Sequence, residues 1–114
     1  MKARAAVAAP DVREGIREMV RRIVEQFDPE QIILFGSHAR GTGRPDSDVD
    51  LLVVMPHHGS RRQQQVEIRL ALHDLAFAKD VIVATPEEFA SRKEIPGTIE
   101  RPAAREGKVL YARS

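Results

Sequence analysis

The sequence predicts an α/β (α+β) fold in which strands and helices alternate along the whole length. Three observations predict it. Short β-branched runs are stopped by glycine or proline, longer stretches between them carry apolar residues at helical spacing, and there is neither a repeat nor a low-complexity segment. The chain has 114 residues, 42% apolar and 31% charged. A chain of that size buries roughly two thirds of its unfolded surface, enough for one core and not for a second domain. Residues 1–10 are Ala-rich and end in Pro10, which predicts a flexible tail, and residues 11–114 are expected to form one domain.

Asp11 offers a helix N-cap with Glu14 three residues on. Val12, Ile16, Met19, Val20, Ile23 and Phe27 then share one helical stripe that should end near Asp28-Pro29. Residues 31–35 and 49–55 read as buried strands, stopped by Gly36 and Pro56. A turn at residues 57–60 leads to a helix expected over residues 61–78, whose apolar positions divide into two stripes: Ile68, Ala71, Leu72 and Leu75 on one side, Val66, Leu70 and Phe77 nearly opposite. The first stripe suffices to cover a sheet. The second, with His73 beside it, is expected to stay exposed as a partner surface. Residues 80–84 predict a third strand, 86–92 a short helix with proline in its first turn, 102–106 another closed by Gly107, and 108–111 a last strand.

Composition limits the partners. Lys and Arg number 18 against 17 Asp and Glu, for a net charge of +1, so no global charge draws the chain to nucleic acid or to a membrane surface. The absence of cysteine excludes disulfides, thiolate metal sites and Cys nucleophiles, and suits a reducing cytoplasm, though it would also suit a secreted protein without bridges. The longest apolar runs, residues 5–9 and 51–55, fall far below the ~18 residues of a membrane span. No direct contact with nucleic acid and no membrane association are expected.

The informative segment runs from Gly36 to Asp50. It lacks the lysine of a phosphate-binding P-loop, since Thr42 follows Gly41. Asp46 stands where a dinucleotide fingerprint starting at Gly41 would need its last glycine. Asp46, Asp48 and Asp50 imitate the start of a calcium loop, but Leu51 replaces its turn glycine and His57 its bidentate glutamate. What remains is a strand, Gly36-Ser37, ten residues, and Asp48-x-Asp50 on a second strand. Residues i and i+2 of a strand share a face, so Asp48 and Asp50 stand side by side with Val49 turned into the core. Two like charges so close repel unless water or divalent cations separate them, and oxygen ligands favour Mg²⁺ or Mn²⁺. Gly36 lets the backbone approach a phosphate, Ser37 adds a hydroxyl at the start of a helical turn, and Arg40 adds a charge. A triphosphate held there would reach cations at the two aspartates, the arrangement of nucleotidyl transfer. Arg44, His38 and the His57-His58 pair read as solvated loop residues, and Tyr111 as packing.

This segment resembles the Gly-Ser-x10-Asp-x-Asp signature of the minimal nucleotidyltransferases, within the DNA polymerase beta-like superfamily. Gly36, Ser37, Asp48 and Asp50 match at the family's spacing, Arg40 and Gly41 match its longer form, and Asp80 opens the strand where the family places a third carboxylate. The resemblance implies a short mixed sheet flanked by helices, with Asp48, Asp50 and Asp80 as catalytic and metal-binding residues for two Mg²⁺ ions. It further implies Gly36, Ser37 and Arg40 as nucleotide-binding residues for ATP, and transfer of AMP to an acceptor hydroxyl. Pro102 departs from the pattern and should shorten the last helix. Because the catalytic core uses up the chain, the acceptor must come from elsewhere. Small stand-alone members of the family pair with HEPN ribonuclease toxins as antitoxins, some transferring AMP to a toxin tyrosine, so a HEPN-type toxin is the implied partner. A non-catalytic antitoxin acting by contact, and a small-molecule adenylyltransferase, are the alternatives.

Overall fold

The computed structural model describes residues 12–44, 46–57 and 59–114. The expected tail, the Asp11 cap, Pro45 and His58 lie outside the described residues. Helix α1 (Val12–Phe27) follows the expected stripe, burying Ile16, Met19 and Ile23, while Arg21 and Glu18, Arg21 and Glu25, and Arg22 and Glu18 pair along its outer face. It stops where Asp28 turns to a positive φ of 49° before Pro29, a conformation that asparagine and aspartate tolerate better than other side chains. Strand β1 (Gln31–Phe35) leads through Gly36 into the single turn α2 (Ser37–Arg40), then β2 (Val49–Val54), α3 (Arg61–Ala71), β3 (Lys79–Ala84), α4 (Pro86–Arg92), α5 (Glu100–Glu106) and β4 (Lys108–Ala112). Ser60 caps α3 by accepting from the Gln63 amide at 3.0 Å. Thr85 and Glu88 form a reciprocal capping box at α4.

The strands form one sheet in the order β3-β2-β1-β4. β2 runs parallel to β3 and antiparallel to β1, and β1 antiparallel to β4, so the sheet is mixed, as the resemblance implied. Its two faces carry separate cores. Leu51, Val53, Val81 and Val83 pack with Ile16, Met19 and Ile23 of α1, Ile68 of α3 and Leu72 just beyond it. Leu52, Val54, Ile33 and Ala84 pack with Ala103 of α5 and, at the margin, with Phe35, Ile82 and Phe89. Burial on both faces explains why β2 reads as a continuous apolar run once Asp50 is passed. The sheet's outer strand β3 is served by α3: Gln65 Oε1 accepts from the Val83 amide at 2.9 Å, and Arg69 Nη2 donates to the Val81 carbonyl at 3.3 Å. No helix among the described residues is long and apolar enough to cross a membrane.

Besides β3, which opens at Lys79 and not at Asp80, and β4, which runs one residue further to Ala112, three element bounds differ from the sequence reading. β2 ends at Val54, with buried Met55 bonded to the Ala84 carbonyl beyond it. α5 begins at Glu100 and takes Pro102 as its third residue, where a missing amide hydrogen costs nothing because the first turn's donors have no helical acceptor. The third difference is larger: the helix expected over residues 61–78 ends at Ala71. Arg22 of α1 donates to the Ala71 carbonyl at 3.0 Å and to Asp74 at 2.6 Å, satisfying a terminal carbonyl with a cation at the negative end of the helix. The hydrogen bond from Arg22, together with one from its own backbone amide, holds the Asp74 carboxyl down at about 2. Beyond Asp74 the chain turns so that Phe77 lies against Gly15, where an added Cβ would stand 2.3 Å from its ring. The second apolar stripe is corrected accordingly. Val66 and Leu70 are exposed, at 43% and 64%, but Phe77 leaves the helix and packs against the core.

Candidate functional site

The β1–α2 turn and the starts of β2 and β3 meet at one end of the sheet. In the parallel register Asp50 lies beside Asp80, and in the antiparallel register Asp50 lies opposite Phe35, the residue before Gly36. The alternation of the pleat puts Asp50 and Asp80 on the face covered further along by α4 and α5, and Asp48, two residues before Asp50 and exposed, extends that line out of the sheet. Val49 between them is fully buried, as its position predicts.

Gly36 has a second function that the sequence reading did not assign. Its φ is 77°, and a Cβ built on it would stand 2.3 Å from Oδ2 of Asp50. The glycine therefore leaves the space that the Asp50 carboxylate fills, besides making the turn into α2. Gly36→Ala is expected to displace Asp50 and strain the turn, at a cost of order 1–3 kcal/mol. Urea denaturation checks this; a stability equal to that of the parent would show that Asp50 needs no such space.

The charges around Asp50 are coupled. Its carboxyl is pushed above the ordinary aspartate value, first by burial and then by Asp80 and Asp48, against partial relief from His38 and Arg40. The residues picked out by spacing thus act electrostatically on one another. Ser37, half-buried, opens α2 and uses its carbonyl to accept from Thr42 at 3.0 Å, while its hydroxyl makes no hydrogen bond among the described residues. Arg40 is exposed and stands 3.7 Å from Glu106, a pairing loose enough for the guanidinium to turn toward an anion.

Two residues that sequence reasoning passed over shape the site. His38 is half-buried rather than exposed. Its Nε2 lies 3.1 Å from the Ser47 carbonyl, and its ring lies so close to Gly43 that an added Cβ would stand 2.5 Å from Nδ1, so it ties the start of the loop to its end. Arg69, from the helix on the opposite face, reaches round the outer strand and donates from Nη2 to Asp80 Oδ1 at 2.9 Å. No pattern in the sequence relates Arg69 to Asp80. The glycine at position 43 was visible, but nothing local says that a histidine ring fills the space above it.

Among the described residues no three His, Cys, Asp or Glu side chains gather as a ready-made metal cluster. The donor set nevertheless fits hard divalent cations. All three acids offer oxygen, Asp50 and Asp80 are register neighbours, and the mutual repulsion that pushes Asp50 up is what a bound cation would relieve.

Comparison with known proteins agrees with this geometry. Residues 16–108 match the family described as the nucleotidyltransferase domain. Among solved structures, a putative nucleotidyltransferase from Sulfolobus solfataricus is 22% identical with a TM-score of 0.56, over 98% of this chain and 91% of that one. Two variants of the toxin–antitoxin MntA-HpeT superpose with TM-scores of 0.52 at 18% and 16% identity, over 87% and 86% of this chain and 73% of theirs. No curated protein matches the chain. The family match spans most of the chain, including the turn at Gly36-Ser37, Asp48 and Asp50, and Asp80, and the likeness to solved structures supports the same mixed sheet: the chain belongs to the nucleotidyltransferase domain family.

Proposed function

We propose that this protein transfers AMP from ATP to a hydroxyl, that of a tyrosine, on a HEPN ribonuclease toxin, and thereby acts as its antitoxin in the cytoplasm. The observation that carries the reading is the register pairing of Asp50 with Asp80 beside the Gly36-Ser37 turn, in a chain of the nucleotidyltransferase domain family. That two structures of similar fold are toxin–antitoxin complexes supports the choice of partner.

In this reading Gly36, Ser37 and Arg40 bind the triphosphate, the first by close backbone approach and the last by charge. Asp48, Asp50 and Asp80 would hold two Mg²⁺ ions, which supply neutralisation of the charge that builds on the phosphates. The acceptor oxygen forms a bond to the α-phosphorus as the bond from that phosphorus to the β-phosphate oxygen breaks. Pyrophosphate leaves with the electron pair, and the hydroxyl proton passes to the Asp80 carboxylate. Asp80 Oδ2 is the oxygen for this task, since Oδ1 accepts from Arg69. Incubating the pair formed with the product of the neighbouring reading frame with ATP labelled at the α-phosphate tests the proposal. Label on a partner tyrosine supports it; an unlabelled partner in a stable complex would sink it in favour of neutralisation by contact.

The partner face is expected on α3, where Val66 and Leu70 remain exposed. Leu70→Glu should abolish complex formation, read by size-exclusion chromatography, with a melting temperature close to that of the parent, because surface substitutions away from special features stay within about 0.5 kcal/mol. A complex that survives the change removes this face from consideration.

A further inference from the structure

Arg69 stands outside every motif in the chain, yet its side chain donates a hydrogen bond to a carboxylate of the site. It sits in the last turn of α3, between buried Ile68 and exposed Leu70. Its helix packs on the face of Val81 and Val83, while Asp80 projects from the other face, so the guanidinium passes round the outer strand to reach it. One nitrogen, Nη2, serves both the Asp80 carboxylate at 2.9 Å and the Val81 carbonyl at 3.3 Å. The second contact fixes the guanidinium to the backbone next to Asp80, and the first fixes the carboxylate to the guanidinium. Oδ1 is engaged and Oδ2 is left without a hydrogen bond among the described residues. An aspartate next to Asp50 would otherwise turn away from its like-charged neighbour, and a cation anchored behind it offsets that repulsion.

We propose that Arg69 is a positioning residue that holds the Asp80 carboxylate beside Asp50, with Oδ2 presented to the acceptor and Oδ1 retained. The inference rests on the nucleotidyl-transfer reading and adds a residue to it. It differs from the plainer role of covering the Val81 carbonyl, which a neutral amide at position 69 could also perform.

The experiment compares the parent, Arg69→Gln and Arg69→Lys, each in complex with the partner, using labelled ATP. Arg69→Gln should lower kcat on the order of 10- to 100-fold, the usual loss when an outer partner of a ligand side chain is removed, with KM for ATP nearly unchanged. Arg69→Lys, which keeps the charge, should recover most of that loss. Melting temperatures of the unliganded chain give a readout independent of activity: Arg69→Gln should lower the parent's melting temperature by more than it lowers that of Asp80→Asn, because the pair is coupled. Arg69→Gln with full turnover, a lysine variant no better than the glutamine one, or equal melting shifts in the two backgrounds would each overturn the inference while leaving nucleotidyl transfer standing. A parent that transfers no label strikes the nucleotidyl-transfer reading itself, and the inference falls with it.

Discussion

Asp50→Asn is expected to abolish nucleotidyl transfer while the fold remains. Asp50 is the centre of the charge cluster, with Asp80 beside it in register and Asp48 two residues before it on the same line. On the proposed two-cation reading, losing one carboxylate ligand would forfeit several kcal/mol of transition-state charge stabilisation, which at 1.36 kcal/mol per decade is about 10³-fold or more in rate. The unliganded protein should respond in the opposite direction. Because its carboxyl is pushed up in the folded state, Asp50 contributes stability that is fully present below its unfolded value and lost as pH rises through the folded one. The neutral amide of the variant carries no such dependence. At neutral pH the variant should therefore melt no lower than the parent, and the difference should shift in the parent's favour as the pH falls to the point where Asp50 is protonated. Label transfer and melting curves between about pH 3.5 and 7.5 check both halves. Activity within about tenfold of the parent would end the carboxylate assignment.

Leu72→Ala carries the largest expected cost in stability. Leu72 is fully buried among Ile68, Val81 and Val83, one residue past the end of α3. Removing it leaves a cavity between α3 and the sheet and should cost about 2–5 kcal/mol, a large share of the roughly 5–15 kcal/mol that holds an ordinary domain together. Urea denaturation measures the loss. A value under about 1 kcal/mol would mean that α3 is not seated on the sheet as described. The contrast with Leu70, two residues earlier and 64% exposed, makes the pair a direct test of which stripe of the helix is covered.

What the sequence disclosed and what it withheld divide along one line. α1, β1 and α4 fall where expected, because an apolar stripe, a β-branched run and a proline-led cap are local signals. The Gly36-Ser37 turn and Asp48-x-Asp50 were legible as a spacing for the same reason, and the structure sets Gly36 against Asp50 with Asp80 beside it in register. The end of α3 was not, because helical periodicity continues through Leu75, and what stops the helix is an arginine 49 residues earlier that bonds the Ala71 carbonyl and a phenyl ring pressed on Gly15. Arg69 escaped for a related reason. Its tie to Asp80 exists only once the crossover from β2 to β3 has laid α3 along the outer strand. The space at Gly36 occupied by Asp50 likewise joins two residues whose adjacency is a product of the antiparallel register.

The bonds from Gln65 and Arg69 to β3 bear on how the protein behaves when crowded. An outer strand with open backbone groups is a template on which other chains can aggregate, and here the helix that follows β2 supplies side-chain substitutes at Val81 and Val83. The opposite border is guarded differently. β4 carries a bulge at Leu110, where its pairing with β1 shifts between Ile32 and Ile33, and opens on exposed Lys108; irregularity and charge both hinder stacking of a further strand. Arg22, which bonds the Ala71 carbonyl at the end of α3, thereby helps from across the molecule to keep the border at β3 covered.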